Sequence, residues 1–466
     1  MSITSFARPR TELVVADKFT GSELDRIPVH RREDVGALLA RGVEGSATAA
    51  ALPRHERARI LADAAAALEQ RSEEAASLIV AEAGKTIRQA RKEVSRAVNT
   101  LRLSGHEALR NVGEVVPFDS FPGAGDRTSW FTREPLGLIL AITPYNDPLN
   151  LVAHKLGPAL AAGDGILVKP SELAPLSARL LVRLLVDAGL PEKVITMVHG
   201  DRTVTADLVA SDQVRLVSFT GGFATAEAIT RIAGIKRLAM ELGGNAPVLV
   251  FEDADISAAV ESCTSAAFWA AGQNCIGAQR ILVERSRYDA FLAGMVTATG
   301  SLVVGDPADE RTDVGPMISS AAAEAALARV AEAVAAGAQV VAGGRARGAV
   351  LEPTILTGTP RDCALWREEA FAPVVVVEPF DTEADAIALA NDSAAALQAG
   401  LFTRDIGRAL RVASAIRAGG VMINDSSDVR LDAMPFGGAG FGSMGREGVR
   451  FAYEELTQPK VVAITR

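Results

Sequence analysis

The chain runs to 466 residues, and 57 acidic against 48 basic side chains leave a formal charge of −9. At roughly 150 residues per domain there is room for about three domains, and 48% hydrophobic with 23% charged residues is a globular composition, not a disordered, collagen-like or coiled-coil one. The acidic balance, with no clustered basic stretch, excludes nucleic acid as the main partner.

Residues 1–17 carry arginines but no apolar core of a signal peptide, so a cytoplasmic location is expected. The longest apolar runs, such as 136–143, match a buried strand and fall short of the roughly 18 residues of a membrane span, so no membrane association is expected. Cys263, Cys275 and Cys363 are too few and too scattered for a disulfide framework, which points to a reducing compartment. The five histidines form no ligand-spaced cluster, and no metal is expected.

Residues 31–112 predict Ala-rich amphipathic helices broken at Pro53 and Gly84. From Val115 the pattern turns extended, residues 117–127 supply turn residues and 130–133 resume the strand, which predicts a β-hairpin arm. After Pro135, apolar strands at 137–143, 165–168, 194–198 and 216–219 alternate with helices, among them 175–189 with Leu176, Leu180, Leu181, Leu184 and Leu185 on one face. Such alternation implies a parallel sheet covered by helices. It resumes beyond Gly243 through 247–251, a helix at 255–271, and strands at 280–284, 373–380 and 420–424, which predicts a second α/β domain with its boundary near Gly243–Gly244. The Ala-rich stretch 319–337 has the apolar spacing of a surface helix, and residues 459–466 form a terminal strand that must pair with something. No internal repeat is visible.

Gly440, Gly442 and Gly445 spell G-x-G-x-x-G, but no strand precedes them in a βαβ unit, so they are not read as a dinucleotide fingerprint. Neither a P-loop nor a G-x-S-x-G elbow occurs. The informative segments are 142–149 (ITPYNDPL), 169–172 (KPSE), 219–222 (FTGG), 241–245 (ELGGN), 272–275 (GQNC), 369–373 (EAFAP) and 435–438 (PFGG). In this order and spacing they resemble the aldehyde dehydrogenase superfamily from about Asp17 to the C-terminus. They are similar to the branch holding lactaldehyde, phosphonoacetaldehyde and non-phosphorylating glyceraldehyde-3-phosphate dehydrogenases.

Cys275 lies in a glycine-containing break after a helix, a setting that exposes a thiol to a ligand, although a free cysteine also serves as core filler. The resemblance makes it the nucleophile that forms a thiohemiacetal with the aldehyde and, after hydride loss, a thioester. It makes Glu241 the base that activates water, and Asn146 with the Cys275 backbone N–H the oxyanion hole. From residue type alone Glu241 also reads as a salt-bridged carboxylate and Asn146 as a turn asparagine. Lys155 resembles a lysine of the catalytic network, and reads equally as a helix-surface lysine. Arg450 takes the place of a glutamate that some relatives use for proton exit, so that role goes unassigned.

The resemblance implies NAD, with NADP as the alternative, held by Thr143, Pro144, Lys169, Pro170, Ser171, Glu172, Phe219, Thr220, Gly221, Gly222, Leu242, Gly243, Glu369 and Phe371. A carboxylate at Glu172 would accept from both ribose hydroxyls and repel a 2′-phosphate, which favours NAD. Gly222 and Ala226 depart from a usual serine and glycine, as do Gly440 from a usual lysine and Ala395 and Ala396 from tyrosine and glycine.

The implied architecture is α/β: a Rossmann-like NAD-binding domain (1–113 and 134–242), an α/β catalytic domain (243–448) and an oligomerisation element (114–133 and 449–466) that joins a homodimer or homotetramer. The expected reaction is oxidation of a small aldehyde to its acid. A CoA-acylating semialdehyde dehydrogenase is the rival enzyme, disfavoured by Glu241; a non-catalytic NAD-binding scaffold is the rival of another class. For the substrate, Arg96 and Arg430 resemble arginines at the tunnel mouth of relatives acting on phosphorylated or hydroxylated aldehydes, and otherwise read as surface arginines. Asn274 and Asp147 replace cationic or aromatic residues there. The expected substrate is therefore a short aldehyde with a singly charged or polar tail, bound by Arg430 with help from Arg96 and oriented by Asp147.

Overall fold

A computed structural model describes residues 11–110 and 112–465. The first ten residues, over which the search for a leader began, lie outside the described residues, as do Asn111 and Arg466. The class is α/β, with two largely parallel sheets. The first has six strands in the spatial order Ser443–Met444, Arg237–Glu241, Val214–Thr220, Leu138–Ile142, Gly165–Lys169 and Ile195–Met197, and only Ser443–Met444 runs antiparallel to its neighbour. Successive side chains of a strand point to opposite faces. Thus Ile139 and Ala141 pack with the helix Asn150–Ala162, whereas Leu138 and Leu140 pack with the helices Arg202–Ala210 and Phe223–Ile232. The helix Leu176–Asp187 buries all five expected leucines.

The chain changes sheets at residues 242–245. Ala246–Val250 already lies inside a seven-stranded sheet ordered Gln339–Ala342, Thr354–Thr357, Val374–Phe380, Ala278–Glu284, Ala246–Val250, Gln398–Phe402 and Gly420–Ile423, antiparallel only at its first pair. The Ala-rich surface helix runs Ser320–Ala335, and the Ser319 side chain caps it by accepting from the Ala322 N–H at 3.1 Å.

Four N-terminal helices precede the sheets: Val35–Ala51, Arg54–Gln70, Ser72–Ala83 and Ile87–Arg110. Pro53 separates the first two, since a proline disfavours the helical conformation of the residue before it. Gly84, at φ 75°, closes the third in a left-handed cap. The further break at Arg71 carries no glycine or proline and was not expected. A second difference matters more for function. The helix expected over 255–271 stops at Phe268, and Ala270 and Ala271 take left-handed φ values of 51° and 53°. Alanine is a strong helix former, so nothing local signals the stop. Each left-handed alanine costs about 1–2 kcal/mol, which the surrounding packing offsets.

The arm consists of Gly113–Val116 and Arg127–Pro135, extended by Thr457–Thr465 in a ladder pairing Thr457 with Pro135 through Thr465 with Arg127. Val115, Val461 and Ile464 stand exposed on this three-stranded sheet. The segment 449–466 therefore divides. Its helix Val449–Glu455 buries Ala452 and Tyr453 against the helices of the first sheet, and only the strand joins the arm. No helix among the described residues is long and apolar enough to cross a membrane.

Candidate active site

In open parallel sheets the C-terminal strand ends form the binding crevice. Here Thr143 and Pro144 follow one strand of the first sheet, Lys169 ends the next, and Phe219 and Thr220 close a third. Glu241 ends the fourth. The second domain lays the strip around Cys275 and the strip around Glu369 across this edge. Between them is a cavity of about 370 Å³ that brings together Asn146, Glu241, Cys275, Glu369 and Arg430 from five separate stretches of chain. Pro144, Gly221, Gly222, Leu242, Gly243 and Phe371 also line it. Lys155, Lys169, Pro170, Ser171, Glu172, Phe219 and Thr143 do not: Phe219 is a core residue, and Lys169 and Glu172 lie further along the edge, 3.9 Å apart.

Glycines 243 and 244 make the close approach possible. A Cβ at Gly244 would collide with the Cys275 carbonyl oxygen, and one at Gly243 with the Glu369 carboxylate. The Gly244 N–H donates to Glu369 Oε1 at 3.0 Å. The strip carrying Cys275 is pinned from both sides. The Gln273 amide donates to the Ala270 carbonyl at 3.2 Å and accepts from the Ile318 N–H at 2.9 Å, while Asn274 donates to Asp428 at 2.7 Å. Phe371, itself left-handed at φ 48°, meets Tyr145 edge to face with ring centres 5.9 Å apart. Backbone strain therefore gathers on both strips that flank the cavity, a pattern typical of functional sites.

Burial pushes the Cys275 thiol well up from its ordinary value; Glu369 adds to the shift and Arg430 opposes it. Glu241 is also raised, first by burial and next by the negative charge of Glu447, and its Oε2 is buried with no hydrogen-bond partner. Glu447 behaves oppositely. Burial alone would raise it, but Lys155 and Arg430 hold it far below the usual carboxylate range. Lys155 donates to Glu447 at 3.2 Å and to the Ser218 hydroxyl at 3.0 Å, Arg430 donates at 2.8 Å, and the Thr220 hydroxyl at 3.3 Å. Lys155 is thus a buried network residue and not a helix-surface lysine. Sequence reasoning missed Glu447 by looking three residues too late. Arg450 pairs with Glu454 at the surface, 3.2 Å away, whereas Glu447 is what meets Lys155.

The four residues expected near the substrate tail all line the cavity, yet none is unattached. Asp147 is held between Lys85 and Arg96, and these cations overcome burial to keep it below the usual range. Arg96 also donates to Asp432 at 3.0 Å, and Asp432 in turn meets His154 at 3.1 Å. Arg430 spends one amine on Glu447 and stacks 3.8 Å over Phe436, but its buried Nε has no partner. Lys85, which also binds Glu93 at 2.8 Å, was not expected: its partners lie 8 and 62 positions away, beyond the reach of local pattern.

The aldehyde dehydrogenase family model matches residues 6–462. The chain belongs to the aldehyde dehydrogenase family. It is 56% identical over 450 residues to aspartate-semialdehyde dehydrogenase 1 of Pseudomonas canavaninivorans, covering 97% of this chain and 96% of that one. Among solved structures it is similar to aldehyde dehydrogenase 21 of Physcomitrella patens with its product succinate (TM-score 0.95, 33% identity, 98% and 96% covered). It is also similar to a glyceraldehyde-3-phosphate dehydrogenase of Methanocaldococcus jannaschii with NADP (TM-score 0.93, 36% identity, 98% and 100% covered). As an aldehyde dehydrogenase, the protein oxidises a small aldehyde to the carboxylic acid with NAD(P).

The strand-edge residues of this aldehyde dehydrogenase fit that cofactor. Gly222 begins the helix Phe223–Ile232, and open space lies where its side chain would be, so a phosphate can approach the helix N–H groups. Thr143 Oγ1 is buried without a partner beside the same edge. Among the described residues no cluster suits a metal ion.

Proposed function

We infer that the enzyme oxidises a short aldehyde carrying an anionic tail, with Cys275 as nucleophile. The convergence of Cys275, Asn146 and Glu241 on one cavity carries the proposal. Cys275 releases its thiol proton to solvent as the sulfur adds to the carbonyl carbon, and the resulting oxyanion is held by the Asn146 amide and the Cys275 N–H. Bound NAD(P) supplies the hydride acceptor. Loss of hydride from the thiohemiacetal leaves a thioester, which a water molecule deprotonated by Glu241 hydrolyses, releasing the acid and the thiol. Lys155 and Arg430, against the opposing charge of Glu447, stabilise the negative charge that a departing proton leaves on Glu241. Glu241 supports hydrolysis over transfer to coenzyme A.

In this reading Phe371 and Glu369 hold the nicotinamide end, and Lys169 and Glu172 the adenosine ribose, with NAD preferred. Thr143, Pro144, Pro170, Ser171, Phe219, Thr220, Gly221, Gly222, Leu242 and Gly243 complete that edge. Arg430 is the donor proposed for the tail, supported by its unpartnered Nε; Arg96 and Asp147 shape the wall beside it. Both the relative named for aspartate semialdehyde and the one solved with succinate handle carboxylated compounds. The apolar side chains exposed on the arm support assembly with further copies, as a dimer or tetramer in the cytoplasm.

The test is Cys275→Ala. Turnover of succinic semialdehyde should vanish while NADH still binds, read by quenching of tryptophan fluorescence. Turnover above background would remove Cys275 from the mechanism.

A further inference from the structure

Four cations line the cavity. Lys85 is held by Glu93 and Asp147, Arg96 by Asp147 and Asp432, and Arg430 by Glu447. Lys92 is different: among the described residues no carboxylate lies within ion-pair distance of it. It stands on the exposed rim at the end of the cavity formed by the helix Ile87–Arg110, with its Nζ 4.6 Å from the centre of the Trp269 ring. That contact holds the ammonium of the exposed side chain against the indole beside the cavity.

Asp428 lines the same cavity and is its counterpart. One oxygen accepts the Asn274 amide at 2.7 Å, and the other has no hydrogen bond among the described residues. Burial pushes the carboxyl up to about 6, and nearby Asp147 adds to the shift, against the pull of Asn274, Lys92 and Arg96. A neutral amide is a poor substitute for a cation, so the site gains from one. Lys92 and Asp428 feel each other's charge but are not in contact. Both line the same cavity, which is therefore bounded there by one positive and one negative group.

We propose that Lys92 and Asp428 form a specificity pair that reads a zwitterionic tail, Lys92 joining Arg430 on the carboxylate and Asp428 taking an ammonium on the same carbon of the aldehyde. The substrate class is then the semialdehyde of an α-amino acid. This deepens the anionic-tail assignment above and rests on it. A ligand carrying both charges completes two half-satisfied groups at once, whereas a purely anionic tail meets Lys92 but is repelled by Asp428. Asp147, the other carboxylate near this wall, does not compete for the ammonium, because Lys85 and Arg96 already neutralise it.

Two aldehydes of equal length that differ only by the ammonium, aspartate semialdehyde and succinic semialdehyde, test the pair, with butanal as the uncharged reference. In the unmodified enzyme kcat/KM should be at least about tenfold higher for the aminated substrate than for succinic semialdehyde. Asp428→Asn should bring that ratio close to one. Lys92→Met should raise KM for both semialdehydes relative to butanal, with Lys92→Arg restoring most of the loss. If Asp428→Asn lowers both semialdehydes equally, Asp428 only positions the strip before Cys275 and the pair is overturned. The pair also falls if the wild-type ratio is one. Butanal turned over as well as succinic semialdehyde would sink the anionic-tail assignment itself. Succinic semialdehyde preferred over butanal with no ammonium effect would keep that assignment and reject the pair.

Discussion

Arg430 donates to Glu447 at 2.8 Å while its guanidinium lies 3.8 Å above the centre of the Phe436 ring. One arginine thus anchors the Glu447 charge beside Glu241 and lines the cavity with its buried Nε still unpartnered. Arg430→Gln should raise KM for succinic semialdehyde relative to butanal by roughly tenfold or more, the loss of about 1.5–3 kcal/mol that a charge-assisted hydrogen bond provides. Steady-state NADH absorbance checks it; equal losses on both aldehydes would make the arginine structural.

Glu241 must lose its proton to act as a base, and both burial and the Glu447 charge oppose that loss. The deacylation rate should therefore rise with pH through a value above the ordinary glutamate range. Glu447→Gln removes one cause and leaves Lys155 and Arg430 uncompensated, which favours ionised Glu241, so the acidic limb of the kcat profile should move to lower pH. Glu241→Gln should give a burst of NADH followed by a slow phase, because thioester formation continues and hydrolysis does not. Stopped-flow absorbance reads both, and a limb that stays in place or moves upward would separate Glu447 from the base.

Lys169 and Glu172 stand 3.9 Å apart on the edge proposed for the ribose. Glu172→Thr removes a charge that would face a 2′-phosphate and frees Lys169 to meet one. The ratio of kcat/KM with NADP to that with NAD should rise roughly tenfold or more. An unchanged ratio would place the 2′ contact elsewhere.

Gly244 abuts the Cys275 carbonyl so closely that no side chain fits. Gly244→Ala must displace the backbone that carries the nucleophile, and misplacement on the order of 1 Å costs about 100-fold in rate. The expected result is a comparable fall in kcat with a native far-UV spectrum; near-normal kcat would show that the strip yields freely.

Much of the fold was legible because strands such as Leu138–Ile142, Gly165–Lys169 and Ala246–Val250 are short apolar runs, a local signal, whereas Arg237–Glu241, charged at both ends, was not expected. The segments carrying Asn146, Glu241, Cys275 and Glu369 were legible because each keeps a distinctive short motif, and the fold brings these four residues to one cavity. What escaped was non-local. Phe268 ends its helix against the preference of two alanines, and Lys155 meets a carboxylate 292 positions away. The G-R-E run at 445–447 was the available clue to Glu447, and it was passed over for Arg450. The ion pairs around Asp147 depend on Lys85, just before the helix Ile87–Arg110, and on Arg96 within that helix, which periodicity along one segment cannot reveal.

The strand that ends in Glu241 has as its outer neighbour Ser443–Met444, paired Ser443 to Glu241 and Met444 to Met240, and the Leu242 N–H donates to the Gly442 carbonyl at 3.1 Å. During synthesis the N-terminal part of a chain folds first, so the first sheet can assemble long before this edge arrives. All the strands of the second sheet are synthesised before Glu241 gains its flanking strand and the Glu447 charge beside it. Until then Glu241 lies on an open sheet edge, so hydrolysis of the thioester waits on a segment made after every strand of the second sheet.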